Sequence, residues 1–179
     1  MDSTASTEDR IGVIQALAAR WTDGEFGRTK LVKSLYFLQV LRNVPLGYRF
    51  RLYSYGPYDS AVLDDLDYAS TLGQVRVKTI HYCGGYGYDI STPESPVEQT
   101  DKFATQYEED LEWVVEQFGS YSPSELELAA TIVFADRESP GQTCDELKDT
   151  VGQIKPHFDA DEIVKHIQWL KGVGLISVH

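Results

Sequence analysis

A chain of 179 residues with 42% hydrophobic and 25% charged residues has the make-up of a globular protein of one domain or two small lobes, not of a disordered or fibrous one. Its net charge of −12 argues against nonspecific attraction to nucleic acid or anionic membranes. No apolar run approaches the roughly 20 residues of a membrane span, no signal-peptide pattern opens the chain, and Cys83 and Cys144 form no CxxC pair, so a cytoplasmic protein without metal or cofactor is expected.

Residues 1–9 are expected to be a disordered N-terminus, with "MDSTAST" the stretch most prone to fray. A first helix is predicted from Thr7 to Trp21, opened by "STED", with Ile11, Ile14, Leu17, Ala18 and Trp21 recurring at spacings of three and four. "RTKLVKSLYFLQVLR" reads as a second helix with Leu31, Leu35 and Leu38 on one face, and Asn43, Pro45 and Gly47 break it. In "YRFRLYSY" Tyr48, Phe50 and Leu52 alternate with Arg49, Arg51, Tyr53 and Tyr55, the pattern of a strand with one core face. Gly56 and Pro57 then make a corner, since glycine tolerates positive φ and proline fixes φ near about −65°. Asp59 is the expected cap of a third helix, "DSAVLDDLDYASTLG", which stops at Gly73.

"QVRVKTIHYCGGYGYDI" reads as a hairpin whose β-rich runs meet at Gly84 and Gly85. A linker at 94–99 precedes a long helix from about Thr100 to Phe118, apolar at Phe103, Tyr107, Leu111, Val114 and Phe118 and acidic on its other side. "SPSE" opens the next helix as a capping box, two more follow around Thr143–Ile154 and Asp159–Lys171, and "GVGLISV" reads as a short closing strand. The fold class expected is mainly α with a small antiparallel β-sheet: a winged-helix-like lobe at 10–93, then a helical lobe at 100–179. In that second lobe the last three helices and "GLISV" faintly repeat the winged-helix order.

Charge is unevenly spread. From Gly27 to Tyr58 six basic residues and no acidic one give +6, which leaves −18 for the rest; between Glu94 and Glu127 ten carboxylates accompany Lys102 alone.

"GRTKLVKSLYFLQ", "YRFRLYSYGPYDSAVLDDL" and "SPSELELAATIVF" together resemble the YwgA-like family of uncharacterised bacterial proteins, over roughly residues 10–175. They resemble more distantly the Panacea superfamily with its SocA-like antitoxins. The resemblance implies a mostly helical fold with a small antiparallel sheet. In the Panacea antitoxins it implies neutralising a toxin by binding, and in SocA-like proteins presenting the bound toxin to a protease. The long acidic C-terminal half departs from the Panacea pattern.

A winged helix would read DNA with the N-terminal part of its recognition helix. The candidates start "DSAVLDDLD" and "DADEIVKH", and their carboxylates would face phosphates. The alternative nucleic-acid surface is Arg28, Lys30, Lys33, Arg49 and Arg51. Those cations equally suit pairing with the chain's own acidic helix, or an acidic partner protein.

No catalytic constellation emerges. His81 and Cys83 would share a strand face, but a glycine turn follows and no base or oxyanion site is evident. Asp64, Asp65 and Asp67 cannot converge on one metal ion from successive helix positions and read as an acidic solvated face. His157, His166 and His179 are scattered, and the glycines of "CGGYGYD" lie in a hairpin, not in a phosphate loop.

Tyrosines stand out instead: Tyr53, Tyr55, Tyr58, Tyr82, Tyr86 and Tyr88 fall in or beside the strands of one predicted sheet. Tyrosine joins a large contact area to a polar tip, as interfaces often require, though such residues also finish cores. The expectation is a non-enzymatic regulatory or interaction protein acting by protein–protein contact through Arg49, Arg51, Tyr53, Tyr55, Tyr58, Tyr86 and Tyr88. Its partner would be another protein, with self-association left open. A winged-helix DNA-binding regulator is the alternative.

Overall fold

The computed structural model describes residues 4–22, 24–95 and 102–179. Among them the chain forms helices α1 (Thr7–Arg20) and α2 (Arg28–Leu41), strands β1 (Arg51–Tyr53) and β2 (Gly56–Tyr58), helix α3 (Ala61–Thr71), and strands β3 (Arg76–Tyr82) and β4 (Gly85–Ser91). Helices α4 (Lys102–Gln106), α5 (Glu108–Phe118), α6 (Pro123–Glu138), α7 (Cys144–Ile154) and α8 (Ala160–Gly172) follow. The strands make two separate antiparallel hairpins, β1–β2 and β3–β4. The fold is mainly helical with small antiparallel sheets, as the patterning requires.

Two compact units divide the chain: Met1–Phe50 with Asp59–Tyr121, counting the described residues, and Arg51–Tyr58 with Ser122–His179. This division differs from a boundary at 94–99. The acidic helix α5 packs in the first unit, against α1 and α2, and the 51–58 hairpin packs in the second, against α6. Most of the predicted linker lies outside the described residues.

In the first unit α1 buries Ile11, Ile14 and Leu17, α2 buries Leu31, Leu35 and Leu38, and Phe37 stacks on Phe118 of α5 with ring centroids 4.1 Å apart. The same unit holds α3, β3 and β4, the elements expected to complete a winged-helix-like lobe, together with α4 and α5. The third, strand-like position beside the hairpin is not taken by "YRFRLYSY". Phe26, in the extended segment before α2, accepts the Ile90 N–H of β4 at 2.9 Å. Tyr48 exchanges two 2.9 Å bonds with the side-chain amide of Gln39, which imitates a neighbouring strand and uses both backbone groups.

The second unit holds β1–β2, α6, α7 and α8, and buries Leu126, Ile132, Leu147, Val151, Ile163 and Leu170. Capping boxes start α6 and α7: Ser122 accepts from the Glu125 N–H while Glu125 accepts from Ser122, and Thr143 and Glu146 repeat the exchange. Asp159 caps α8.

Several expectations are corrected. Of the predicted disordered residues 1–9, Met1–Ser3 lie outside the described residues and the rest are ordered. The Ser6–Asp9 capping box starts α1, and buried Ala5 donates its N–H to Pro45 at 2.8 Å. The long helix breaks at Tyr107, which leaves Glu108, Glu109 and Asp110 in the first turn of α5, where carboxylates meet the positive end of the helix dipole. Thr100 lies outside the described residues. "YSYGPY" is not a corner between strand and helix but a hairpin: Tyr53 pairs with Gly56 across a two-residue turn, Ser54–Tyr55. "GVGLISV" forms no strand, because its backbone finds other partners; Ser177 donates to the Asp136 carboxylate at 3.0 Å and His179 to the Gln142 carbonyl at 3.1 Å, while Ile176 and Val178 are buried.

Candidate interaction surfaces

In the expected winged-helix reading α3 would be the recognition helix, and it is built inward. Val62, Leu66 and Ala69 form its apolar face, and Asp65 falls on that face at the third position after Val62. Asp65 is therefore not part of a solvated acidic face. It is 5% exposed, accepts from Arg10 Nε at 2.7 Å and from Nη2 at 3.3 Å, and accepts the Tyr48 hydroxyl proton at 2.8 Å. Burial, then the carboxylate beside it, raises the Tyr48 hydroxyl far above the ordinary tyrosine range. The hydrogen bond to Asp65 raises the Arg10 guanidinium in turn. Asp64 and Asp67 remain exposed.

The predicted basic surface is dispersed. Lys33 is 2% exposed, so it cannot meet a phosphate at the surface. Arg28 lies over the Tyr88 ring, 3.6 Å from its centroid, and within 3.8 Å of Asp67. Lys30 sits 5.5 Å from the Trp21 ring centroid. Elsewhere in the unit Arg20 pairs with Glu108 at 3.0 Å and Arg42 with Asp110 at 2.6 Å, so the acidic helix α5 takes basic partners from its own unit. Arg49 and Arg51 stay exposed, and neither guanidinium has an ion-pair partner among the described residues.

The six tyrosines do not share one sheet. In β1–β2 the register sets Arg51 opposite Tyr58 and Tyr53 opposite Gly56, so Arg51, Tyr53 and Tyr58 share one face. The Tyr53 and Tyr58 rings meet edge to face at 5.5 Å. Tyr55, in the turn, is 73% exposed and Tyr53 58%. Leu52 and Pro57 take the opposite face. Arg49 belongs to the first unit, as do Tyr86 and Tyr88 on β3–β4.

On β3–β4, Tyr86 and Tyr88 share a face with Val77 and with buried Ile90, their rings edge to face at 5.8 Å. Tyr82 takes the other face. Its ring lies over Gly87, where an added Cβ would come within 3.0 Å of Cε2, and its hydroxyl donates to Glu25. That carboxylate raises the Tyr82 hydroxyl above its usual range. The hairpin turns at Cys83–Gly84, with Gly84 at φ +100°, which only glycine adopts readily. Cys83 is thus an exposed turn residue, off the strand face that His81 occupies.

Two open clefts are lined by charged residues. One, of about 390 Å³ in the first unit, brings Arg20, Trp21, Lys30 and Glu116 together. The other, of about 360 Å³ in the second, is lined by Lys148, Phe158 and Ile163 among others, and the Lys148 ammonium is held between Asp145 and Asp149, each at 3.5 Å.

The least expected group is a buried ion pair in the second unit. Lys155 Nζ donates to Glu127 Oε1 at 2.6 Å, with the two side chains 2% and 9% exposed, and also to the Ser54 carbonyl in the β1–β2 turn. His157 Nε2 lies 3.8 Å from the same Glu127 oxygen and is 60% exposed. A signal existed in the sequence: Leu147, Val151 and Lys155 recur at intervals of four, so the lysine continues an apolar stripe.

No protein-family model matches the chain, and no curated protein matches it.

Proposed function

We propose that the protein is a non-enzymatic regulatory or interaction module that acts by protein–protein contact. The observation that carries this reading is α3. Between Ala61 and Thr71 it has no Lys or Arg, exposes Asp64 and Asp67, and commits Asp65 to an internal network. A helix of that kind repels the phosphates a recognition helix must approach. Exposed tyrosines, by contrast, offer contact area at low entropy cost, and Tyr53, Tyr55 and Tyr86 are 58%, 73% and 65% exposed. The contact residues remain Arg49, Arg51, Tyr53, Tyr55, Tyr58, Tyr86 and Tyr88, divided between the two units.

The resemblance to the YwgA-like family, and distantly to the Panacea and SocA-like antitoxins, extends the proposal to an antitoxin-like or adaptor-like role. A cytoplasmic location belongs to the same proposal. Cys83 and Cys144 are unpaired thiols, which suits a reducing compartment, and no helix of the described residues is long and apolar enough to cross a membrane.

Arg49 and Arg51, exposed and outside any ion pair among the described residues, favour a second reading as a winged-helix DNA-binding regulator. Fluorescence anisotropy with duplex DNA over a salt series separates the two. The contact reading expects no binding at low salt. Binding whose salt slope falls by about two on changing both arginines to alanine would overturn it. The positive arm is co-purification from the source cells: Tyr53→Ala with Tyr55→Ala should release a protein that the parent chain retains.

A further inference from the structure

We infer that the β1–β2 hairpin is a strap latched by the buried Lys155–Glu127 pair, and that this latch sets how Tyr53 and Tyr55 are presented. The inference rests on the reading of those tyrosines as contact residues, and it names what regulates that site.

Each strand has three residues, and the ladder has three residue pairs. A two-stranded ribbon that short does not hold itself together in water. Its order must come from docking, and both an apolar and a polar attachment are visible. The first is apolar: Gly56 and Pro57 are buried, Leu52 pairs with Pro57 on the inward face, and β2 packs on α6. The second is polar and lies at the turn, where the Lys155 ammonium binds the Ser54 carbonyl. Tyr53 and Tyr55 flank Ser54 in sequence, so the bond fixes the backbone between the two most exposed tyrosines of the hairpin.

Lys155 is positioned by the fold. It ends α7, donating its own N–H to the Val151 carbonyl at 2.8 Å, and its carbonyl accepts from Phe158 at 3.1 Å. An ammonium this buried requires partners, and Glu127 supplies the countercharge from α6. Stability alone gives no reason for the pair, since apolar residues of similar volume often serve a core as well or better. What an apolar pair could not do is hold a carbonyl. The charge on Lys155 thus has a specific task, gripping the turn, and Glu127 makes that charge tolerable in the interior. With the grip removed, the hairpin loses its polar hold at the turn and opens locally, while α6, α7 and α8 stay packed.

Hydrogen exchange read by mass spectrometry on the full chain tests the latch. In Lys155→Met, amides of 51–58 should exchange at least tenfold faster than in the parent, while 126–135 and 163–170 keep their protection. Chymotrypsin should cleave after Tyr53 or Tyr55 with a comparable gain in rate. Because the single change strands a buried carboxylate, Lys155→Met with Glu127→Met is the second variant, free of buried charge and expected to show the same local loosening. Parent-like protection of 51–58 in the double variant overturns the inference. So does a loss of protection shared equally by hairpin and helices. Neither readout involves a partner, so the latch stands or falls separately from the contact reading, which fails instead if changing Tyr53 and Tyr55 leaves partner retention intact.

Discussion

The Tyr48 hydroxyl donates to an Asp65 carboxylate oxygen at 2.8 Å, and the same oxygen accepts Arg10 Nε at 2.7 Å. One carboxylate on α3 thereby fixes α1 and the segment that follows α2. Removing one partner of a buried, hydrogen-bonded charge pair leaves the other desolvated without compensation. Arg10 is 19% exposed at its side chain and can recover some water, so Asp65→Ala should cost about 2–3 kcal/mol, below the full range for a sealed pair. Asp64→Ala, one residue earlier and exposed, should stay within about 0.5 kcal/mol of the parent. Urea denaturation of the two variants measures both, and equal effects would mean that α3 does not face inward as described.

Tyr48 also carries an alkaline signature. Its folded-state hydroxyl titrates above the unfolded one, so between the two values the folded protein holds a proton that the unfolded chain has lost. That stability is fully present below the ordinary tyrosine range, about pH 10, and declines as pH rises beyond it. Thermal melts from pH 8 to 11 should fall more steeply in the parent than in Tyr48→Phe, which has no phenol to titrate. Parallel curves would place the hydroxyl in water.

How much of this could be read from the chain depends on where each signal lives. The capping boxes at Ser122 and Thr143, the helix faces and the exposure of Arg49, Arg51, Tyr53 and Tyr55 are local, and periodicity exposes them. Partner choice is not local. Nothing in "YRFRLYSY" says that Gln39 will take the backbone of Tyr48, or that Phe26, 64 residues away in sequence from Ile90, will lie beside β4. That is why one expected sheet became two hairpins in different units, and one tyrosine cluster became two. Buried charge misleads in a related way. Asp65, Lys33 and Lys155 sit at core positions, and composition counts them as surface residues until a partner is known.

Gly56 is where local and distant constraints coincide. It has φ +84° and is buried opposite Tyr53, so a β-branched side chain meets an unfavourable backbone region at a position with little exposure. Gly56→Val should lose about 2 kcal/mol or more. Gly84→Ala makes the comparison: φ is +100°, but an added Cβ meets nothing within 4 Å, so backbone strain alone, about 1–2 kcal/mol, applies. If the two losses prove equal, the β1–β2 turn is as open as the β3–β4 turn, and the docking of the hairpin is in question.

Ser122 and Glu125 give an acid-side counterpart. The Glu125 carboxylate accepts the Ser122 backbone N–H at 2.8 Å and the Ser122 hydroxyl accepts the Glu125 N–H at 3.2 Å. The first of these bonds, with the hydroxyl contribution behind it, holds the Glu125 carboxyl below its usual value. A depressed carboxylate stabilises the fold above its unfolded value and loses that contribution as pH falls through the folded one. Ser122→Ala should therefore cost about 1 kcal/mol at neutral pH, the usual worth of such a cap. Glu125→Ala should flatten the decline in stability below about pH 4.5, because the group that titrates is gone. Chemical denaturation at pH 7 and across pH 2.5–5 reads both effects; a Glu125→Ala profile parallel to the parent's would show that other carboxylates, not this helix start, carry the acid sensitivity of the second unit.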